Sequence, residues 1–364
     1  MSNVKLETLT AVHVGSGNFL QNRTEFFQSG NALYVTDERK VLDIIGTNHV
    51  QEWIQSISHR NSIVDVVHRF APHAAPDTFS KRRIGRLSIV SNTDTLKECI
   101  HDGRGLAYIP GSSLKGAIRT AVLATLAEKA KIDESQIVQG RKVSASSVEK
   151  QLFGPDPNRD VFRFLQVGDA FFSSGCEVAM RMVMHLNITQ QQDLVTHEKP
   201  QLVEAIKWGK SSSFRMNINE QGYRLAEENG AVQPKPAFLH SMKDLLQLCN
   251  DHTIRLLEGE LDFWDELADK DYDGADDYLD WIDDMRQKAE TCRHTNSCIL
   301  RLGHAVGWKF ITGGWSRKLH CFDPNIIDAS RPHNQQYQGY PFPKSRRADE
   351  NSELLGFVKL TLED

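Results

Sequence analysis

The stretch Ile109-Pro110-Gly111-Ser112-Ser113-Leu114-Lys115-Gly116-Ala117-Ile118-Arg119 heads the most strongly helical run in the chain, and its reading decides the rest. Pro110-Gly111 is a turn dipeptide. A serine after it, Ser112 or Ser113, suits the N-cap of a helix from Ser113 to Lys131. Leu114, Ala117, Ile118, Ala121, Val122 and Leu126 recur at helical spacing and form an apolar face. Lys115 and Arg119, four apart, share one flank. Free backbone N–H groups, the positive helix end and two cations then converge, which is the make-up of a phosphate site. The order of glycines, lysine and serine is not that of a Walker A loop. A capped core helix with two solvated cations accounts for the same residues.

Working outward, Val4 to Val12 alternates as a half-buried strand and meets a glycine turn at Gly15-Ser16-Gly17. Ala32 to Val35 is a second strand, with helices expected over Asp37–Ile45 and Val50–Ile57. Arg60 to Arg86 is mixed and basic, with Pro72 and Pro76 as breakers, and reads as a surface insertion. Strand-like runs follow at Phe162–Phe172, Cys176–Leu186 and Ser213–Ile218, then helices at Ala237–Leu257 and Asp276–Ala289. Ile299–Leu302 and Gly356–Leu360 close the chain as strands. Strands and helices mix without a regular βαβ beat, so the expected class is α+β.

The 364 residues suffice for two domains, expected at 1–180 and 181–364, the second carrying a helical insertion at about 236–292. No run approaches the roughly 18 apolar residues of a membrane helix, and the first ten residues lack a signal-peptide core. Six scattered cysteines suggest a reducing, cytoplasmic setting. The net charge is −5, but Glu258 to Asp284 holds thirteen acidic residues and one lysine. Removing the −12 of that segment leaves +7 on the other 337 residues, a mildly basic body compatible with nucleic acid.

The run IPGSSLKGAIRTAVL resembles the signature of the RAMP superfamily, the RNA-binding subunits of CRISPR effector complexes. Further islands resemble it in order: His13-Val14-Gly15-Ser16-Gly17, Leu165–Asp169, Val203–Ile206 with Gly209 and Phe214-Arg215, and Arg301–Trp308. The tail, Tyr340–Arg347 with Leu355–Val358, is similar to the end of the fifth-subunit family of type III-A (Csm) particles. The resemblance implies two ferredoxin-like (RRM-like) domains with helical and loop insertions. It also implies a place capping the filament of Cas-seven-like backbone subunits, near the small subunit and the 3′ part of the crRNA. Members of the family assist crRNA maturation and recruit trimming nucleases.

Glycines let a backbone approach phosphates closely. Gly15 and Gly17, Gly111, and Gly303 and Gly307 would offer three such surfaces, beside the cations Lys115, Arg119, Arg301 and Lys309. With His13, Ser112, Ser113 and His304 these are the expected RNA contacts, giving sequence-independent and salt-sensitive binding. Trp308, Trp315 or His304 could stack on a base, and Lys81-Arg82-Arg83-Ile84-Gly85-Arg86 is a second basic patch. His13, Asp37 or Asp43 would be needed for cleavage, but none has a matching partner, so no catalytic centre is expected. A crRNA-processing RAMP endoribonuclease is the alternative, and an acidic-segment interaction protein without an RNA role is a third reading. Asp269, Asp271, Asp273, Gly274 and Asp280 match positions of a calcium loop, yet Asp276 and Asp280 depart from its pattern. Cys292, His294, Cys298 and Cys321 lack zinc-finger spacing. No cofactor and no metal is expected.

Overall fold

Val4, Leu6 and Thr8 are fully buried while Asn3 and Lys5 face outward, so the alternation of Ser2–Thr8 makes a strand with one apolar face. It is the centre of a five-stranded antiparallel sheet ordered Leu165–Val167, Ser211–Ile218, Ser2–Thr8, Phe357–Glu363, Ser297–Arg301. Register places Val4 opposite Phe214 and Leu6 opposite Leu360. The Gly111–Lys129 helix buries Leu114, Ile118, Ala121 and Val122 in the core that this sheet shares with the Met242–Ala268 helix. The computed structural model describes residues 2–86, 90–91, 94–139, 142–173, 178–188, 194–196, 201–269, 275–310, 345–349, 351 and 353–363.

A second, mixed sheet runs Gly15–Gln21, Thr95–Cys99, Gln201–Ile206, Val178–Ile188, Ser80–Arg86, Ala32–Thr36, Phe26–Ser29. Leu194–Thr196 and Ser345–Ala348 add to Val178–Ile188. Two of its pairings are parallel, Thr95–Cys99 on Gln201–Ile206 and Ser80–Arg86 on Val178–Ile188. Each sheet takes strands from both sides of residue 180. The fold is thus a mixture of α and β elements, with a purely antiparallel sheet and a mixed one.

Two expectations are corrected. Residues 60–86 are not a surface insertion: Ile63–Phe70 is a helix burying Ile63, Val66 and Val67, and Ser80–Arg86 is an interior strand burying Ser80 and Ile84. In that strand Lys81 and Arg83 are exposed between the buried Ser80 and Ile84 while Arg82 turns inward, which gives a basic composition without a surface loop. The glycine run at 15–17 is not a turn. It is the start of the edge strand Gly15–Gln21, which bulges between Gly15, opposite Cys99, and Phe19, opposite Lys97.

The acidic segment lies on the helices Met242–Ala268 and Ala275–Thr291, which pack through Leu257, Trp264, Ile282 and Met285. Trp264 stacks on Tyr278 at 4.4 Å between ring centroids. Glu258, Asp262, Asp265, Glu266, Asp276, Asp277 and Asp280 face outward. Asp271, Asp273 and Gly274 of the calcium-like pattern lie outside the described residues, as do Trp315 and Cys321. Among the described residues no helix is long and apolar enough to cross a membrane.

Glu260 is the acid that turns inward. Its carboxylate accepts from Arg346 Nε at 2.7 Å and lies 2.6 Å from Lys309 Nζ. Burial pushes its pKa up, but Arg346 and Lys309 outweigh that and hold it at about 2. Because the folded value lies below the unfolded one, the stabilisation is complete above the ordinary carboxylate range and fades as pH falls toward 2. We expect Glu260→Gln to cost about 3 kcal/mol at pH 7, since it leaves two buried cations uncompensated. Urea denaturation at falling pH should show the gap to the parent protein narrowing below about pH 4.5.

Candidate nucleic-acid interface

Glu204 sits fully buried on the strand Gln201–Ile206, where an unpaired carboxylate would be untenable. Arg82, from Ser80–Arg86, answers it with two hydrogen bonds, Nε to Oε1 at 2.8 Å and Nη2 to Oε2 at 2.9 Å. The Cys99 N–H donates to Oε2 at 3.0 Å, and His101 Nε2 lies 3.4 Å from Oε1. The same Nη2 of Arg82 donates to Glu98 at 2.9 Å. Glu98 in turn accepts from Ser16 Oγ and Asn18 Nδ2, both at 3.0 Å, and so ties down the glycine bulge. Partial burial pushes the Glu98 carboxyl up, yet Asn18, Arg82 and Ser16 hold it below the usual carboxylate range.

His13 joins this network from beneath. Its Nδ1 donates to the Glu204 carbonyl at 2.6 Å, so in the neutral ring Nε2 carries the lone pair. Burial lowers the His13 pKa against the opposing pull of Glu204, which keeps the ring neutral at pH 7. A Cβ on Gly15 would come within 3.1 Å of Nε2. The second glycine loop closes over the other side: the His304 N–H donates to the His13 carbonyl at 2.8 Å, and the two rings meet edge-on at 5.5 Å. Gly303, at φ +91°, is required there, because a Cβ would lie 2.5 Å from that carbonyl.

On the outer face stand the exposed residues Gly15 to Asn18, and Phe19 at 54% exposure. Lys97 lies over the Phe19 ring at 5.6 Å, and its Nζ is 3.4 Å from Nε2 of His304. That nitrogen is 3.2 Å from Oε1 of Gln201. Burial lowers the Lys97 pKa, and Arg347 close by lowers it further. Among the described residues neither Lys97 nor Arg347 forms a salt bridge. Two cations, a cation-bearing aromatic ring and an open glycine backbone therefore share one surface. This is a fit for phosphate and a stacked base.

The structure sorts the expected contacts. His13, Gly15, Gly17, Gly303 and His304 come together as described; Gly307, at φ +79°, is exposed with open space around it. Gly111 is corrected: it is buried, and a Cβ there would lie 2.2 Å from the Val167 carbonyl. Its N–H donates to Asp169 at 2.7 Å, so the positive helix end is answered by the protein's own carboxylate. Neither Ser112 nor Ser113 caps the helix; Pro110 occupies the N-cap position. Arg119 is corrected too. It bridges Glu149 and Asp160, each at 2.8 Å, between the rings of Phe153 and Phe162.

Arg301 is buried, donating to the Leu355 carbonyl at 2.9 Å over Phe310 and Phe357, and burial pushes its pKa down to about 9. Lys309 is held by Glu260. These cations are spent on internal partners and stabilise the fold. In the basic patch, Arg82 faces inward and Lys81 pairs with Glu38 at 2.8 Å. Lys97 and Phe19 were not among the expected contacts, because no local pattern marks them, and Arg347 entered only through the tail; strand pairing across long separations brings them together.

A sequence model described as the RAMP superfamily matches residues 5–282. The chain belongs to the RAMP superfamily. Within it, the chain is similar to the Csm5 protein of a CRISPR system in Methanocaldococcus jannaschii, 26% identical over 271 residues. That match covers 71% of this chain and 62% of the relative, so the chain spans less than two thirds of that protein. The fold is similar to a chain in a cryo-EM structure of a Csm–crRNA–target RNA ternary complex of a type III-A CRISPR-Cas system. There the TM-score is 0.67 and the identity 20%, over 100% of both chains. It is also similar to the crystal structure of T. onnurineus Csm5, at TM-score 0.64 and 21% identity, over 97% of this chain and 99% of that one.

If the Arg82–Glu204 pair carries the site, Arg82→Leu should cost about 3–5 kcal/mol by stranding a buried carboxylate. Combining it with Glu204→Leu should recover most of that loss, as read by urea denaturation of the three variants.

Proposed function

We propose that this chain is the crRNA-binding capping subunit of a type III-A CRISPR (Csm) ribonucleoprotein, holding the 3′ part of the crRNA and supporting its maturation in antiviral defence. The reading rests on one observation above the others. The glycine bulge at residues 15–18 is pinned by Glu98 beneath an exposed Phe19 and beside two cations, Lys97 and Arg347. Such a surface grips backbone without reading sequence, which suits a subunit that must accept any spacer. Superfamily membership and the likeness to Csm5 support the same reading. The partners are then the crRNA, a Cas-seven-like backbone subunit, the small subunit and recruited nucleases. Two ferredoxin-like units are part of this proposal.

Binding is favoured over the endoribonuclease alternative by His13. Its ring is 2% exposed, lies under Gly15 and has Nδ1 committed to Glu204. A general base needs a nitrogen within hydrogen-bond reach of the 2′-hydroxyl, and this ring is placed beneath the bulge instead of on its surface.

The test is equilibrium binding of single-stranded RNA by Lys97→Gln, Lys97→Glu and Phe19→Ala proteins across a salt series. Lys97→Gln should weaken binding equally for unrelated RNA sequences and lower the salt slope by about 1. Lys97→Glu should weaken it more. Unchanged affinity and slope in both lysine variants would remove the proposal.

A further inference from the structure

A cleft of about 750 Å³ opens beside the first turns of the Gly111–Lys129 helix, and its lining shares no residue with the glycine-bulge surface. It is bounded by Lys115 and Arg119 of that helix, by residues 144–150, and by the loop and short helix from Gly154 to Arg163. Its size lies within the range of small-molecule and nucleotide pockets, roughly 300–1,000 Å³.

The charges in it are arranged unevenly. Glu149 and Asp160 both bind Arg119, whose guanidinium is fixed between Phe153 and Phe162 and made part of the wall. Lys115 stands next to this neutralised group, half-buried and without a salt bridge among the described residues. Lys150 and Arg163, both exposed, also line the cleft beside Asp156, and Arg163 donates to the Asn158 carbonyl and lies over the Phe164 ring. Pro155 and Pro157 add apolar surface to the lining, and Ser144 and Ser146 add hydroxyls.

The wall is also preformed. Gly154 is at φ +137°, and a Cβ there would lie 2.2 Å from the Arg159 carbonyl, so this turn admits only glycine. Asp156 accepts from the N–H groups of Asn158 and Arg159, at 2.9 and 3.2 Å, and Asp160 accepts from the Phe162 N–H at 2.8 Å. A ligand entering the cleft therefore meets a loop that already has its shape, which reduces the ordering cost of binding.

We infer that this cleft is a second binding site, for a single nucleoside monophosphate unit, with the phosphate on Lys115, Lys150 and Arg163 and the base against Pro155 and Pro157. Two sources supply that chemistry, a free nucleotide or the phosphorylated terminal nucleotide of an RNA strand.

The experiment is calorimetric titration of the full-length chain with adenosine monophosphate, repeated on Lys115→Gln and on Lys150→Gln/Arg163→Gln, both changes at residues that leave the core untouched. Saturable binding should appear in the parent protein and weaken at least tenfold in each variant. A short RNA ending in a phosphate that competes with the mononucleotide identifies the strand end as the source; one that does not compete identifies the free nucleotide. Absence of saturable binding by the parent, or equal binding by parent and variants, overturns the inference. RNA binding by Lys97→Gln, measured in parallel, reports separately on the glycine-bulge surface, so the two readings fail independently.

Discussion

A carboxylate with no exposure must be neutralised where it stands, and the neutralisation of Glu204 organises the surface proposed for RNA. Arg82 reaches it from another strand of the same sheet, and its Nη2 donates to Glu98 as well. Glu98 fixes Ser16 and Asn18, while the Glu204 carbonyl fixes His13, and the His13 carbonyl fixes the second glycine loop. One buried pair thus sets the position of two loops that lie far apart in the sequence. Without it, the bulge at residues 15–18 would be an edge strand with four small or polar residues and little to hold its shape.

Local elements were legible to the extent that their information was local. The helix expected at Ser113–Lys131 is found at Gly111–Lys129, since an alanine- and leucine-rich run declares itself. The helix expected after Asp37 is found at Glu38–Ile45, with the Asp37 carboxylate capping it. The mixed sheet was much less legible. Its strand Ser80–Arg86 has four cations in seven residues, and its parallel neighbours join residues about a hundred positions apart, a pairing that no periodicity encodes.

The site was legible as a set of motifs, but not as a division of labour within them. Gly111 was singled out as a place where backbone could approach a phosphate. The backbone it admits, however, is that of Val167 and Gly168, and the anion at its N–H is Asp169. Arg119 and Arg301 show the same limit. A cation beside a glycine has the same sequence signature whether its partner is a phosphate or an internal carboxylate, carbonyl or ring. Only burial separates the two cases, and burial depends on contacts made from elsewhere in the chain.

The acidic helices take part in this arrangement despite their opposite charge. Neighbouring residues on a strand point to opposite faces, so on Ser345–Ala348 the side chains of Arg346 and Arg347 diverge. Arg346 turns to Glu260 and stacks over Phe263 at 4.0 Å. That anchorage commits Arg347 to the other side, where it stands near enough to Lys97 to lower its pKa. Among the described residues of that −12 segment, the one buried acid therefore orients a cation on the surface proposed for RNA, while the exposed acids remain on the helices themselves. The segment acts on that surface through the geometry of one strand, with no contact of its own to the glycine bulge needed.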